Sequence, residues 1–318
     1  MWFDISYLPC RDLDYLVPMP KKTQGKTCIA VVQMAMRPQP AENLKAAAAW
    51  VAQAARRGAK IICLPELFRT HYFCQREDPA FFDLAEPIPG PTTRYFARIA
   101  RKHKVALIVP VFERRAPGLF HNSAVTLDAD GAFVGHYRKM HIPDDPGYYE
   151  KYYFTPGDLG FQACTTRHGR IGTLLCWDQW FPEAARATAL QGAQVLFYPT
   201  AIGWHPREKK ALRAVQREAW QIIQRAHAVA NGTYVAVANR VGHERLAGSS
   251  GGLDFWGASF ICDPLGTLLV EARIDREDVL LAEVDPRRIE AVRCNWPFLR
   301  DRRIDAYEAV LQRYLDPA

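Results

Sequence analysis

From Thr27 onward, short runs of apolar and β-branched residues alternate with stretches whose apolar positions recur at helical spacing, and few folds accommodate that rhythm. Thr27–Met34 predicts a buried strand. Ala41–Arg57 predicts a helix with Leu44, Ala47, Ala48, Val51 and Ala55 on one face, stopped by Gly58, and Lys60–Leu64 predicts the next strand. Thr92–His103 reads as a helix with Phe96, Ile99 and Ala100 inward, followed by a strand over Val105–Phe112. His121–Leu127 and Ala132–Tyr137 flank Asp128–Gly131 as a β-hairpin. Arg170–Cys176 predicts a strand, Pro182–Gln191 a helix with proline in its first turn, and Val195–Tyr198 a strand. A long helix over Pro206–Ala230 leads to strand Thr233–Ala238. Strands at Ala258–Cys262, Thr267–Glu271 and Val279–Val284 come next, with helical segments at the C-terminus. Strands and helices alternate first and hairpins intrude later. That order predicts one α/β domain of mixed sheets covered by helices, with two sheets face to face.

No internal repeat or low-complexity linker divides the chain. Residues 1–26 read as an irregular extension, 27–310 as the folded domain and 311–318 as a tail. With 318 residues, 49% of them hydrophobic, the domain can build its core without a disulfide or metal staple. Apolar stretches such as Ala228–Asn239 are shorter than the roughly 20 residues that span a bilayer. Asp4, Arg11, Asp12 and Asp14 interrupt the N-terminus, so neither a signal nor a transit peptide is expected there. Eight cysteines without a CxxC pair fit free thiols in a reducing cytoplasm. The net charge of +7 raises the question of nucleic acid. Its clusters are short, Lys21, Lys22 and Lys26 at one end and Arg300, Arg302 and Arg303 at the other. Elsewhere acids and bases interleave, with no RNA-binding or zinc-finger signature. The expectation is a solvated surface on a cytoplasmic protein, with no nucleic-acid or membrane partner.

Three positions carry reactive groups where α/β proteins build sites, beyond strand ends. Cys176 closes a predicted strand just before a predicted helix. A helix N-terminus there would lower the thiol pKa and favour a nucleophilic thiolate, while a buried, inert thiol fits the position as well. Glu66 follows the strand Lys60–Leu64 between apolar neighbours, where burial would raise its pKa toward that of a general base. A loop carboxylate can equally be a cap or a surface group. Lys139 ends a third strand, at a place where lysines are ordinarily solvated. Beyond it Asp144, Asp145, Tyr148, Tyr149, Glu150, Tyr152, Tyr153 and Phe154 mix acids and aromatics densely enough to wall a pocket. Within that stretch Glu150 is either a second catalytic carboxylate or a surface acid.

Together, Leu64-Pro65-Glu66, Tyr137-Arg138-Lys139-Met140-His141 and Cys176-Trp177-Asp178 followed by Pro182-Glu183 resemble the nitrilase superfamily of carbon–nitrogen hydrolases. The resemblance spans about residues 27–310. It implies an α-β-β-α sandwich, a catalytic triad of Glu66, Lys139 and Cys176 with Glu150 as accessory glutamate, and protomers that pair into larger homo-oligomers. Within the superfamily the chain is most similar to the subgroup that hydrolyses N-carbamoylputrescine. Tyr72-Phe73-Cys74-Gln75, His141-Ile142-Pro143-Asp144, Pro146-Gly147-Tyr148, the run from Cys176 to Arg186, Tyr198 to Gly203 and Phe298 to Arg303 carry that likeness. Some members place a carboxylate two residues beyond the Gly203 position, where this chain has His205.

The resemblance implies acyl transfer through a Cys176 thioester, with Glu66 moving protons. Lys139 and the Trp177 backbone N–H would hold the oxyanion, and no metal or organic cofactor is called for. The substrate is expected to be a small carbamoylated amine. Residues 177–183 hold no Lys or Arg to clamp a carboxylate, so an ammonium is expected at its far end. Asp144 and Asp145 would receive it, with Tyr148, Trp177 and His205 nearby. Asp178 is read as a cap on the following helix. Other amides or ureido acids are the nearest alternative substrates. A zinc site from His71 and Cys74, or from His136 and His141, lacks further ligands at regular spacing. The run Gly248-Ser249-Ser250-Gly251-Gly252 lacks a phosphate-loop pattern and reads as a flexible loop. A non-catalytic binding protein would be favoured only if one of Glu66, Lys139 or Cys176 were missing.

Overall fold

Side-chain alternation along β1 (Thr27–Gln33) sets the architecture. Ile29 and Val31 enter one apolar core and Ala30 and Val32 enter another, so both faces of the strand are covered. The computed structural model describes residues 25–249 and 251–316. The expected N-terminal extension therefore lies outside the described residues, except for Gly25 and Lys26, as do the last two residues of the expected tail.

After β1 come α1 (Pro40–Arg56), β2 (Ile61–Cys63), α2 (Pro91–His103), β3 (Ala106–Ala116), β4 (Leu119–Leu127) and β5 (Phe133–Arg138). The chain continues through α3 (Glu150–Tyr153), β6 (Ala163–Thr166), β7 (Gly169–Thr173), α4 (Pro182–Leu190), β8 (Val195–Pro199) and β9 (Gly203–Trp204). Then follow α5 (Lys210–Asn231), β10 (Tyr234–Ala238), β11 (Val241–Glu244), β12 (Leu253–Trp256), β13 (Phe260–Cys262), β14 (Leu268–Glu271), β15 (Asp278–Val284) and α6 (Pro286–Asn295). Among the described residues two six-stranded sheets form, in the orders β15-β1-β2-β3-β4-β5 and β14-β13-β10-β8-β7-β6. Ile29, Val31, Ile61 and Ile108 of the first meet Ile171, Val195, Phe197, Val235 and Ile261 of the second in a shared core. On the first sheet's outer face, Ala30, Val32, Ile62 and Leu107 pack against Ala47, Val51 and Ala54 of α1 and Phe96 and Ala100 of α2. Helices α4 and α5 cover the second sheet, with Ala184, Ala185, Trp220 and Ala228 buried. The layers are α-β-β-α, as the superfamily resemblance implies. No helix among the described residues is long and apolar enough to cross a membrane.

The structure corrects several local expectations. The long helix starts at Lys210 rather than Pro206, because Gly203 and Trp204 pair with Phe255 and Asp254 and Glu208 N–H bonds the His205 carbonyl in a turn. The buried face of α1 centres on Asn43, Ala47, Val51 and Ala54, with Leu44, Ala48 and Ala55 on its flank. Asn43 is buried because its amide bonds the Arg37 backbone and the Arg69 carbonyl. Strand β7 stops at Thr173, so Cys176 does not end it. A small sheet in the order β11-β12-β9 is absent from the sequence reading. Its strands are two to four residues long, too short for a period to register.

Candidate active site

Strand direction gathers the predicted residues. β2 is parallel to β3, and β5 runs the same way because two antiparallel pairings separate it from β3. Glu66 and Lys139 therefore leave the same edge of one sheet. β7 and β8 are parallel in the other sheet, which sets Cys176 beside Ala201. The Cys176 Sγ–H donates to the Ala201 carbonyl at 3.8 Å.

Lys139 is fully buried between two carboxylates. Its Nζ donates to Glu66 Oε1 at 2.9 Å and to Glu150 Oε2 at 2.6 Å. Burial alone would strip its charge, but Glu150 and Glu66 outweigh that and hold the ammonium well above its usual pKa. Asn122 Nδ2 also donates to Glu66 Oε1 at 2.7 Å, while Glu66 Oε2 is buried and unpartnered. Burial pushes the Glu66 pKa up to about 7, with the Glu150 charge adding to it and Lys139 opposing. Glu150 Oε1 is held by the Tyr72 hydroxyl at 2.6 Å.

Cys176 opens a 3₁₀ turn, Cys176–Trp180, and has a φ of +41°. That left-handed conformation is costly for a residue with a Cβ, about 1–3 kcal/mol, and needs surrounding bonds to hold it. Asp178 supplies them from full burial. Its carboxylate accepts from Leu175 N at 3.0 Å, the Tyr137 hydroxyl at 2.7 Å and His141 N at 3.0 Å, and its Oδ1 meets His141 Nδ1 at 2.7 Å. Asp178 thus joins the cysteine turn to the segment after Lys139, rather than capping α4 as expected. The helix effect expected on the thiol is also corrected. α4 begins only at Pro182, and burial, with the Glu66 charge adding, pushes the Cys176 pKa well above the ordinary range against Lys139. A thiol in this state needs a neighbouring base to become nucleophilic.

The remaining expected residues sit farther from this cluster or at its rim. Trp177 is half-buried, its ring 6.4 Å from that of Trp180. The Tyr148 hydroxyl donates to the Gly203 carbonyl and accepts from Gly203 N, both at 2.9 Å, and its ring lies 5.5 Å from Tyr72. Asp144, Asp145 and His205 are exposed. The four residues weighed as zinc ligands go to separate places. His71 bonds the Met36 carbonyl, Cys74 is buried among Phe73 and Tyr72, His136 bonds Glu113, and His141 stacks on Phe181 at 3.7 Å. Lys26 pairs with Glu283 at 2.7 Å, whereas Lys21, Lys22 and Ser250 of the Gly248–Gly252 run lie outside the described residues. Sequence reasoning did not single out Asn122, Arg240 or Glu244. Each is an ordinary polar residue in its local sequence, and only tertiary contacts distinguish it.

A buried carboxylate with one free oxygen, a fixed ammonium and a buried thiol together supply proton transfer, charge stabilisation and a nucleophile. Comparison with known proteins points the same way. The family model described as carbon-nitrogen hydrolase matches residues 28–294. An N-carbamoylputrescine amidase of Oryza sativa subsp. japonica is 43% identical, over 90% of this chain and 95% of its own. A citrullinase of Francisella tularensis is 40% identical, over 90% and 98%. A solved carbon-nitrogen hydrolase from Helicobacter pylori G27 superposes with a TM-score of 0.88 at 46% identity, over 91% of this chain and all of that one.

Proposed function

The chain belongs to the carbon–nitrogen hydrolase family and is an amidohydrolase, and from that premise we propose that it cleaves N-carbamoylputrescine to putrescine, CO2 and ammonia through a Cys176 thioester. The observation that carries the reading is the buried Glu66–Lys139–Glu150 cluster beside Cys176, in a chain 43% identical to an N-carbamoylputrescine amidase. Glu66 Oε2 takes the thiol proton as sulfur attacks the carbamoyl carbon. Lys139 and the Trp177 N–H stabilise the resulting oxyanion. As the tetrahedral adduct collapses, Glu66 returns the proton to the departing amine. A carbamoyl group stays on sulfur. Glu66 then deprotonates a water that attacks the thioester, and the proton passes to the leaving thiolate. The carbamic acid released decomposes to CO2 and ammonia. Glu150 holds Lys139 in place throughout.

Tyr148 and Trp177 are assigned to the cleft wall. Asp144 and Asp145, on the turn that Tyr148 N–H closes onto the Asp145 carbonyl, are assigned to the distal ammonium, with His205 at the same end. The overall charge of +7 repels a cation at long range, so recognition is local. The test is kcat/KM for N-carbamoylputrescine against N-carbamoyl-β-alanine, which has a carboxylate in place of the ammonium, and citrulline, which adds a carboxylate beside it. We expect at least about a tenfold preference for the amine, the worth of one charge-assisted contact. A preference for either acid overturns the substrate assignment and leaves the thioester chemistry standing.

A base with a pKa of about 7 must be ionised to accept the thiol proton, so kcat/KM should fall as pH drops through about 7. Glu66→Gln keeps the shape but cannot shuttle a proton, and should lose on the order of 10²-fold or more. A flat profile from pH 5 to 8, or a variant keeping a tenth of wild-type kcat, contradicts the role.

The reading extends to a cytoplasmic homo-oligomer built from dimers. Exposed Leu190, Leu212, Val215 and Ile222 on α4 and α5 support association, and the free cysteines among the described residues support a reducing compartment. Light scattering in solution tests the first point and fractionation the second.

A further inference from the structure

Beyond β10 the chain buries a full ion pair that the chemistry above does not use. Arg240 and Glu244 are both buried, and Arg240 Nη1 donates to Glu244 Oε2 at 3.0 Å. The second guanidinium nitrogen, Nη2, donates to the Leu67 carbonyl at 2.7 Å and to the Thr70 carbonyl. Glu244 Oε2 also accepts the Tyr72 N–H at 2.7 Å. The pair therefore grips the 67–72 segment at three backbone points. Each end of that segment leads to a catalytic carboxylate. Leu67 follows Glu66 directly and holds a φ of +47°, a left-handed conformation that a leucine keeps only when its neighbours enforce it. At the other end, the Tyr72 hydroxyl donates to Glu150 Oε1 at 2.6 Å. The Arg240 guanidinium also lies 5.9 Å from the Tyr72 ring centroid and 5.4 Å from that of Phe255.

Burying such a pair gains little stability, since apolar residues of similar volume often serve a fold as well. Here the pair is imperfectly satisfied too, with Arg240 Nε and Glu244 Oε1 both buried and unpartnered. What it supplies that an apolar pair cannot is direction. A planar fork fixes several carbonyls at once, and a lysine cannot reproduce that geometry.

We infer that Arg240 and Glu244 are positioning residues for catalysis, aiming Glu66 through the Leu67 carbonyl and Glu150 through Tyr72. The inference rests on the proposed roles of those two glutamates. Arg240→Met replaces the fork with an apolar chain of similar length, and Tyr72→Phe removes only the hydroxyl. Each should lower kcat about tenfold or more with KM within about twofold, because small misplacements of reacting groups cost rate rather than ground-state binding. The double variant should lose less than the product of the two single losses, since both changes act on Glu150 through Tyr72 while only Arg240→Met also acts on Glu66. If Arg240→Met does not fold, Arg240→Lys, which keeps the charge but not the fork, decides in its place. A folded Arg240→Met or Tyr72→Phe enzyme with wild-type kcat overturns the inference, as does a loss confined to KM or to melting temperature. Glu66→Gln in the same assay separates the two readings. If it is inactive while Arg240→Met is fully active, only the positioning inference fails. If Glu66→Gln is itself active, the proposed mechanism fails.

Discussion

Cys176→Ala is expected to abolish ammonia release and to leave the protein folded. Of every group in the site only this sulfur can form a covalent bond to the carbamoyl carbon in the proposed sequence, so no residual path of comparable rate survives its removal. The fold should tolerate the change. Asp178 holds the turn through hydrogen bonds from Leu175 N, Tyr137 and His141 that do not involve the sulfur, and the thiol's own hydrogen bond, to Ala201, is long at 3.8 Å. The cost is the transfer and cavity energy of one buried atom, on the order of 1 kcal/mol. Circular dichroism and a melting curve check the fold, and an ammonia assay checks the activity. Normal release by the folded variant contradicts the mechanism.

Lys139→Met should be nearly as damaging to turnover and far more damaging to stability. Loss of an oxyanion donor in a dry site typically costs 10²–10³-fold in kcat. In addition, Glu66 and Glu150 would face each other without a cation, and breaking a buried ion pair from one side costs about 3–5 kcal/mol. The pH dependence follows from the sign of the shift. Glu66 already has a pKa raised from 4.5 to about 7 by burial, and removing Lys139 takes away the charge that opposes the rise. A carboxyl shifted upward contributes its full stability below 4.5 and loses it as pH climbs through the folded value. The deficit of the variant should therefore be small near pH 5 and grow above pH 7. Denaturant melts at the two pH values measure it. A deficit that shrinks as pH rises would mean that the two carboxylates are not the groups left unpaired.

The layers of the fold could be anticipated because strands covered on both faces leave a strong apolar signal. β1, β2, β8 and β10 are such strands, and each lies within a residue or two of its expected position. Glu66 and Cys176 could be located for a related reason, since each follows an apolar run, whereas Lys139 follows Gly135-His136-Tyr137-Arg138 and stands out only through the motif resemblance. How they are held was hidden. Asn122 lies in β4 between His121 and Ser123 and reads as one of several polar residues in a hairpin, yet it bonds Glu66 across 56 residues of chain. Arg240 and Glu244 form an i,i+4 pair, which sequence patterning would assign to a helix surface, although Val241–Glu244 is a strand. The contacts that bury the pair come from residues 67–72, about 170 positions earlier. The thiol failed the sequence expectation for an electrostatic reason. A helix six residues on is too distant to outweigh burial beside a carboxylate, so Cys176 depends on Glu66 for activation.

In the proposed sequence the carbamoyl group passes through a covalent bond to Cys176. Rapid acid quenching during turnover of N-carbamoylputrescine, followed by intact-protein and peptide mass spectrometry, traps and locates that bond. The predicted result is one added carbamoyl group, mapped to the peptide containing Cys176 and absent from Cys176→Ala. A carbamoyl group on any other residue, or steady ammonia release by Cys176→Ala with no adduct in either protein, would contradict it.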